Sequence, residues 1–218
     1  MSVRTVSAYL ENDVGMAEDH GSAAWLFDLD FWGRCGQGHD ERSALLSLRG
    51  AVIGVDIVVG ERVEGDEQAF ARDRVPCTAE EREATLGILG EVRPQMIALL
   101  RSCSPAELDW EDTERVLPSF ARWRTLRQIA WHIADTESRY YLPRLGLGTR
   151  QRADSLFVEL EASAGHVRGV VENMPRDAFV EVDHEIWTSV KVLRRLAWNE
   201  RGELVVMRAM LAKARSRL

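Results

Sequence analysis

The sequence predicts an α+β chain of two parts: a small mixed α/β domain over residues 1–75, then a four-helix bundle over residues 76–218. Three observations predict it. Val6, Ala8 and Leu10 alternate with Ser7 and Tyr9, the two-residue period of a half-buried strand. From Thr78 the period lengthens, and Leu86, Leu89, Val92, Met96 and Leu99 follow at steps of three and four, the stripe of an amphipathic helix. Between these regimes, Glu64 to Asp73 is polar and acidic, which suits a linker.

In the first part, strands are expected at Val6–Leu10, at Ala23–Phe27 and at Phe31–Cys35, the last two separated by Asp28 and Asp30. Gly33, Gly36 and Gly38 read as turns or bulges. Without a following Lys-Ser/Thr pair they do not make a phosphate loop. Asp40 can cap a helix over Glu41–Arg49 that Gly50 is placed to end. The β-branched run Val55–Val63 reads as a further strand.

In the second part, Thr78 and Glu81 form a capping box for the first long helix, and Pro94 lies inside it. Ser104 and Glu107 form a second box, with Pro105 at the first helical position of a short segment. Residues 108–123 read as an irregular connection. A second helix starts near Thr125, carries Leu126, Ile129, Ile133 and Tyr140 on its apolar face, and should end near Leu142 because Pro143 follows. A third spans about Arg152 to Asn173. A long loop holding Phe179, Val182 and Trp187 follows. Thr188 or Ser189 then caps a fourth helix that runs to about Arg215. Four amphipathic helices bury their stripes most simply as a bundle.

Composition narrows the function. The net charge of −7 argues against broad nucleic-acid binding, which needs a basic face, although arginines gather between Arg115 and Arg152. No apolar run approaches the roughly 18–20 residues of a membrane span. The first residues lack the apolar core of a signal peptide. Cys35, Cys77 and Cys103 are widely spaced and odd in number, as expected of reduced thiols in a cytoplasmic protein.

The chemistry-bearing positions lie on the second and fourth helices. On the fourth, Val192, Leu196, Asn199, Glu203, Val206 and Met210 fall on one line, so Asn199 and Glu203 interrupt an apolar stripe one turn apart. A buried carboxylate is costly unless it is paired, protonated or bound to a cation. On the second helix, His132 sits among Ile129, Ile133 and Thr136, where a core position would hold an aliphatic residue. His132, Asn199 and Glu203 could converge on a divalent zinc, nickel or iron ion. Glu200 and Arg201 read as facing away from the stripe, in surface pairs. His20, His39, His166 and His184 read as surface histidines, Arg139, Arg144, Arg150 and Arg152 as a solvated basic face, and Trp131 and Trp198 as core or interface aromatics.

Two resemblances add to this. The segment Phe27–Leu45, with an acidic-leucine turn, glycines and a polar-capped helix, in the order strand, strand, strand, helix, strand, resembles the HicB-like domain, often an antitoxin or binding module. The chain from Thr78 to Leu218 resembles the DinB-like superfamily. There the segment Leu126–Glu137 is similar to the first metal motif, with His132 at its ligand position, and Val192–Glu203 is similar to the second, with Glu200 at its acidic position. That resemblance implies an up-down-up-down four-helix bundle, a homodimer, a divalent metal held by three histidines, and transferase or isomerase activity on a small thiol-bearing molecule. Here the two other histidine positions hold Asn199 and Glu203, and Asn offers only a neutral amide oxygen. Three states of the site are open: a lost metal site turned polar cluster, an altered metal site, or metal-free acid–base chemistry by His132 and Glu203. The corresponding functions are a scaffold, interaction or small-molecule-binding protein, or a metal-dependent thiol enzyme.

Overall fold

Five helix starts are fixed by local caps. In the computed structural model, which describes residues 4–118 and 120–218 and only the backbone of Asp19, Asp40, Thr78, Ser104, Thr125 and Thr188 each accept a hydrogen bond from a backbone N–H in the first turn of the helix that follows. These caps open α1 (Glu41–Ala51), α2 (Ala79–Arg101), α3 (Pro105–Asp109), α4 (Leu126–Asp135) and α7 (Ser189–Arg217). At α1 the third position, Ser43, returns the bond to the Asp40 backbone, so the box is complete without an acidic residue there. Residues 1–3, part of the segment read for a signal peptide, lie outside the described residues.

The chain is mixed α+β. Strands β1 (Arg4–Asn12), β2 (Ser22–Leu26), β3 (Cys35–Gly38) and β4 (Val55–Glu64) form one sheet in the order β3-β2-β1-β4. Its pairs are antiparallel except β1 with β4, which run parallel with a register shift opposite Ala8 and Tyr9 that leaves Gly60 as the extra residue. One face packs on α1 through Val6, Ala8, Leu26, Ala44 and Leu48. The other packs on the linker and α7 through Trp25, Phe70 and Trp198.

Several expectations for this part are corrected. Phe31 closes a short 3-10 turn instead of opening a strand, and β3 lies later, over Gly36 and Gly38. Those glycines allow close packing: a Cβ at Gly36 would lie 2.2 Å from the Ala44 carbonyl oxygen, and one at Gly38 2.2 Å from Ser43 Oγ. Gly50 does not end α1, which continues through Ala51. The acidic linker is not solvent-borne, because Glu67, Ala69, Phe70 and Asp73 are buried.

The four long helices pack in a ring: α2 against α6 (Leu156–Asn173) and α7, and α4 against α6 and α7. Their shared core includes Met96, Ile129, Ile133, Leu160, Val167, Leu196 and Met207, each fully or almost fully buried, a burial contributing roughly 1.5–3 kcal/mol per large side chain. α4 continues into a π-helical turn, Thr136–Tyr141, and then into α5 (Leu142–Arg144), so Pro143 lies inside the continuation instead of beyond it. The third helix starts at Leu156, later than expected. The loop expected before α7 is a hairpin, β5 (Phe179–Val182) with β6 (Glu185–Thr188), turned by Asp183 and His184 at φ values of 53° and 68°. Two successive positive φ values make the tight hairpin turn, here without the Asn-Gly pair that announces one.

α7 explains how the sheet and the helices hold together. Its first turns, Ser189 to Ala197, are buried on every side, because the helix lies between the sheet and the other helices. Arg194 donates to both carboxylate oxygens of Asp73, at 3.0 and 2.8 Å. Arg195 bonds Glu67 at 2.9 Å and Glu11 at 3.2 Å, and Lys191 reaches Glu67 at 2.9 Å. The three cations meet three carboxylates, so the charge balances. Burial pushes Glu67 upward, but Arg195 and Lys191 more than offset it and hold the carboxyl down at about 2.

A candidate ligand cavity between the sheet and the helices

His132 sits on α4 one turn before the π-helical segment, and Asn199 and Glu203 sit one turn apart on α7. All three line a single cavity of about 640 Å³. The sheet side contributes Met16 and Gln37, and the linker contributes Asp66 and Glu67. The irregular segment before α4 contributes Arg115, Phe120 and Trp123, and the π turn contributes Thr136, Tyr140 and Tyr141. Volume and lining suit a small organic ligand: such sites occupy roughly 300–1,000 Å³ with aromatic walls and a few polar groups.

Each of the three residues is held by a different neighbour. The imidazole of His132 lies flat on Trp123, centroids 3.5 Å apart and planes 12° from parallel, and its Nδ1 is 3.1 Å from Thr136 Oγ1. Burial, with the Arg115 charge adding to it, pushes His132 down to about 4, so the ring is neutral near pH 7. Asn199 is buried and donates from Nδ2 to Glu137 Oε1 at 3.0 Å. Glu203 faces Arg115, with Nη2 and Oε2 3.9 Å apart, too far for a hydrogen bond. Burial pushes Glu203 up to about 7, against the opposing pull of Arg115.

This donor set does not fit a resident divalent ion. Arg115 is anchored by its Nη1 bond to the Trp123 carbonyl at 3.0 Å, and its charge acts on both His132 and Glu203. A fixed cation is thus already placed among the residues that would ligate a second one. Asn199 contributes no charge, only a neutral amide oxygen, while its amide nitrogen donates to Glu137. Among the described residues no group of three His, Cys, Asp or Glu side chains is placed to hold a metal. The arrangement can hold a small organic body against aromatic walls and offer it the Arg115 cation and the Glu203 carboxyl group, which burial raises to about 7.

No family model, curated protein or solved structure matches this chain.

Behind the cavity wall lies a polar group that sequence reasoning missed. Glu137, fully buried, accepts from Arg93 Nη2 at 2.7 Å as well as from Asn199. Arg93 Nη2 is also 2.7 Å from Glu200 Oε1, and its Nη1 donates to the Leu160 carbonyl and to Ser163 Oγ. Glu200, read as a surface residue, is 1% exposed. It points at Arg93 because α7 is enclosed on the sides where an isolated helix would meet water. The signal for these residues was available. Glu137 follows Ile129 and Ile133 at steps of four, and Arg93 sits between Leu89 and Met96 at steps of four and three. Each is a charge on an apolar line, as Glu203 is.

The remaining candidates fall into place as packing or ion pairs. Arg139 and Arg150 pair with the buried Glu159, Arg144 with Asp183 and Glu185, and Arg152 with Asp135, so the basic face is neutralised by specific partners. Trp198 meets Trp25 edge-on at 5.6 Å, and Trp131 carries Arg152 over its ring at 3.9 Å. His20, His39 and His184 are exposed, and His166 is half-buried with Nε2 3.0 Å from the Gly148 carbonyl. All three cysteines are free, and only Cys77 is fully buried. No helix among the described residues is long and apolar enough to cross a membrane.

Proposed function

We propose that this chain joins a HicB-like domain, residues 1–75, to a DinB-like up-down-up-down four-helix bundle, residues 76–218, and that it binds a small organic molecule in the cavity between them without a resident metal. The observation that carries this is the cavity of about 640 Å³ itself, walled by residues from both parts and containing all three positions singled out by the helix pattern. In this reading the family's metal site is degenerate. Arg115 supplies the positive charge, Trp123 holds His132 as a neutral ring, and Asn199 is a fixed wall residue. A small thiol conjugate is the ligand class that the DinB-like resemblance brings, and a cytoplasmic homodimer is its expected form.

A second reading, a divalent-metal-dependent thiol transferase or isomerase, is favoured by one observation: His132, Asn199 and Glu203 line the same cavity. Metal analysis after incubation with excess zinc, nickel and iron separates the two. Metal-free wild-type protein is the expected result. One equivalent of metal that is lost in His132→Ala would replace the first reading by the second. Ligand binding is tested with S-hexylglutathione and with the uncharged aromatic probe N-phenyl-1-naphthylamine, read by tryptophan fluorescence because Trp123 and Trp198 line the cavity. Saturable binding of at least one, lost in the cavity-filling variant Thr136→Trp, is expected. If neither binds, the cavity is not a site for this class of ligand.

A further inference from the structure

A second cleft, of about 300 Å³, lies on the far side of the Glu137–Arg93–Glu200 group, between α2, α6 and α7. Its walls are apolar at Leu89, Ile97 and Val167, and its floor is Glu200 with Arg93 and Glu137. Gly90 and Gly165 line it, and a Cβ added at Gly165 would meet nothing within 4 Å.

The charges do not balance. Two carboxyl groups, 0% and 1% exposed, share one guanidinium. The other charged residues at the cleft are already paired, Arg168 with Glu172 and Glu161 with Arg101. Nor is the hydrogen bonding complete. Glu137 uses both oxygens, on Arg93 and Asn199, whereas Glu200 uses only Oε1, and its buried Oε2 has no partner. A proton on Oε2 would cancel the charge but would leave an O–H donor facing no acceptor. A donor that also carries positive charge cures both deficits at once.

We propose that this cleft binds a small organic cation, an ammonium group on a short apolar chain, with the Glu200 carboxylate as its counter-charge and the buried, unpartnered Oε2, brought to the cleft by rotation of the carboxyl group, as its acceptor. The apolar walls take the chain, and the ammonium completes a four-charge cluster of two cations and two anions. Burial raises Glu200 to about 8 and Glu137 as well, against Arg93, which is the cost that such a ligand would remove. The cleft is distinct from the larger cavity, to which it is linked through the Glu137–Asn199 hydrogen bond.

The probe is n-butylammonium, with n-butanol as its uncharged analogue and potassium chloride at equal concentration as the inorganic control. Binding to the full chain is followed by calorimetric titration and by the thermal midpoint. The expected result is one-to-one binding of n-butylammonium, at least about tenfold tighter than n-butanol and weakened at least about tenfold in Glu200→Gln, a factor worth about 1.4 kcal/mol. Gly165→Leu fills the cleft without touching the ionic group and should abolish binding while the protein stays folded. No binding to wild type, equal binding in Glu200→Gln, or equal protection by potassium would each overturn the proposal. So would a rise in the thermal midpoint of Glu200→Gln in the absence of any amine effect on wild type, since a proton would then suffice.

Discussion

Trp123 lies face to face with His132, their ring centroids 3.5 Å apart, although one belongs to an irregular segment and the other to α4. The stack removes one face of the imidazole from water, and burial, with the Arg115 charge beside it, lowers the titration of the ring. The folded value, about 4, lies below the ordinary 6.5, so the unfolded chain takes up the proton first as the solution is acidified. The stability gained by keeping the ring neutral is complete above pH 6.5 and is lost as pH falls from there through about 4. His132→Gln should therefore flatten the acid side of the stability profile by up to about 3 kcal/mol. Denaturant titrations at several pH values check this, and an NMR titration should find the His132 ring neutral at pH 5.5.

Glu203 behaves oppositely. Its folded value, about 7, lies above the ordinary 4.5, so its contribution is fully present below pH 4.5 and is lost as pH rises through about 7. Glu203→Gln should gain on wild type with rising pH, reaching about 1–3 kcal/mol near pH 8. Arg115 pulls Glu203 and His132 downward together, so Arg115→Met should move both titrations upward. A variant in which only one of them moves would show that Arg115 does not face both groups.

The Arg93 cluster predicts an asymmetry. Arg93→Met leaves two carboxyl groups buried without a cation and should cost about 3–5 kcal/mol. Glu200→Gln removes one of the two charges, keeps the shape and leaves an amide oxygen to face Arg93, so its cost should be much smaller. Equal costs, measured by urea unfolding at pH 7, would mean that the imbalance is not felt.

The sheet and the helices should unfold as one cooperative body. Arg194 bonds Asp73 while its guanidinium lies among Trp25, Phe27 and Phe70, at 4.4, 5.7 and 5.3 Å from the ring centres. Asp73→Ala strips the partner from a fully buried cation and should cost about 3–5 kcal/mol. Tryptophan fluorescence and far-ultraviolet circular dichroism should give coincident transitions in wild type. Two separated transitions would show that the buried pairs do not couple the parts.

Much of the secondary structure and part of the site are legible in the sequence, because both rest on rules that act within a few residues. Capping boxes name helix starts, and the period of apolar residues names strands and helices. A polar residue on an apolar line marks a special position, and that rule found Asn199 and Glu203. Where local rules conflict, local reading fails. Gly36 and Gly38 look like turn residues but serve a close approach of α1, and Asp183 with His184 makes a hairpin turn without the usual glycine.

What the sequence by itself determines here is which residues form helices and which faces are apolar, together with the presence of unusual polar groups on those faces. Only the tertiary structure decides what those groups do, because their partners lie far along the chain. Asn199 bonds Glu137 across 62 positions, and Arg195 reaches Glu11 across 184. No local period encodes such a pairing. The same carboxyl group is a ligand, a proton carrier or half of an ion pair according to the charge placed beside it. For Glu203 that charge is Arg115, and for Glu200 it is Arg93, which it shares with Glu137.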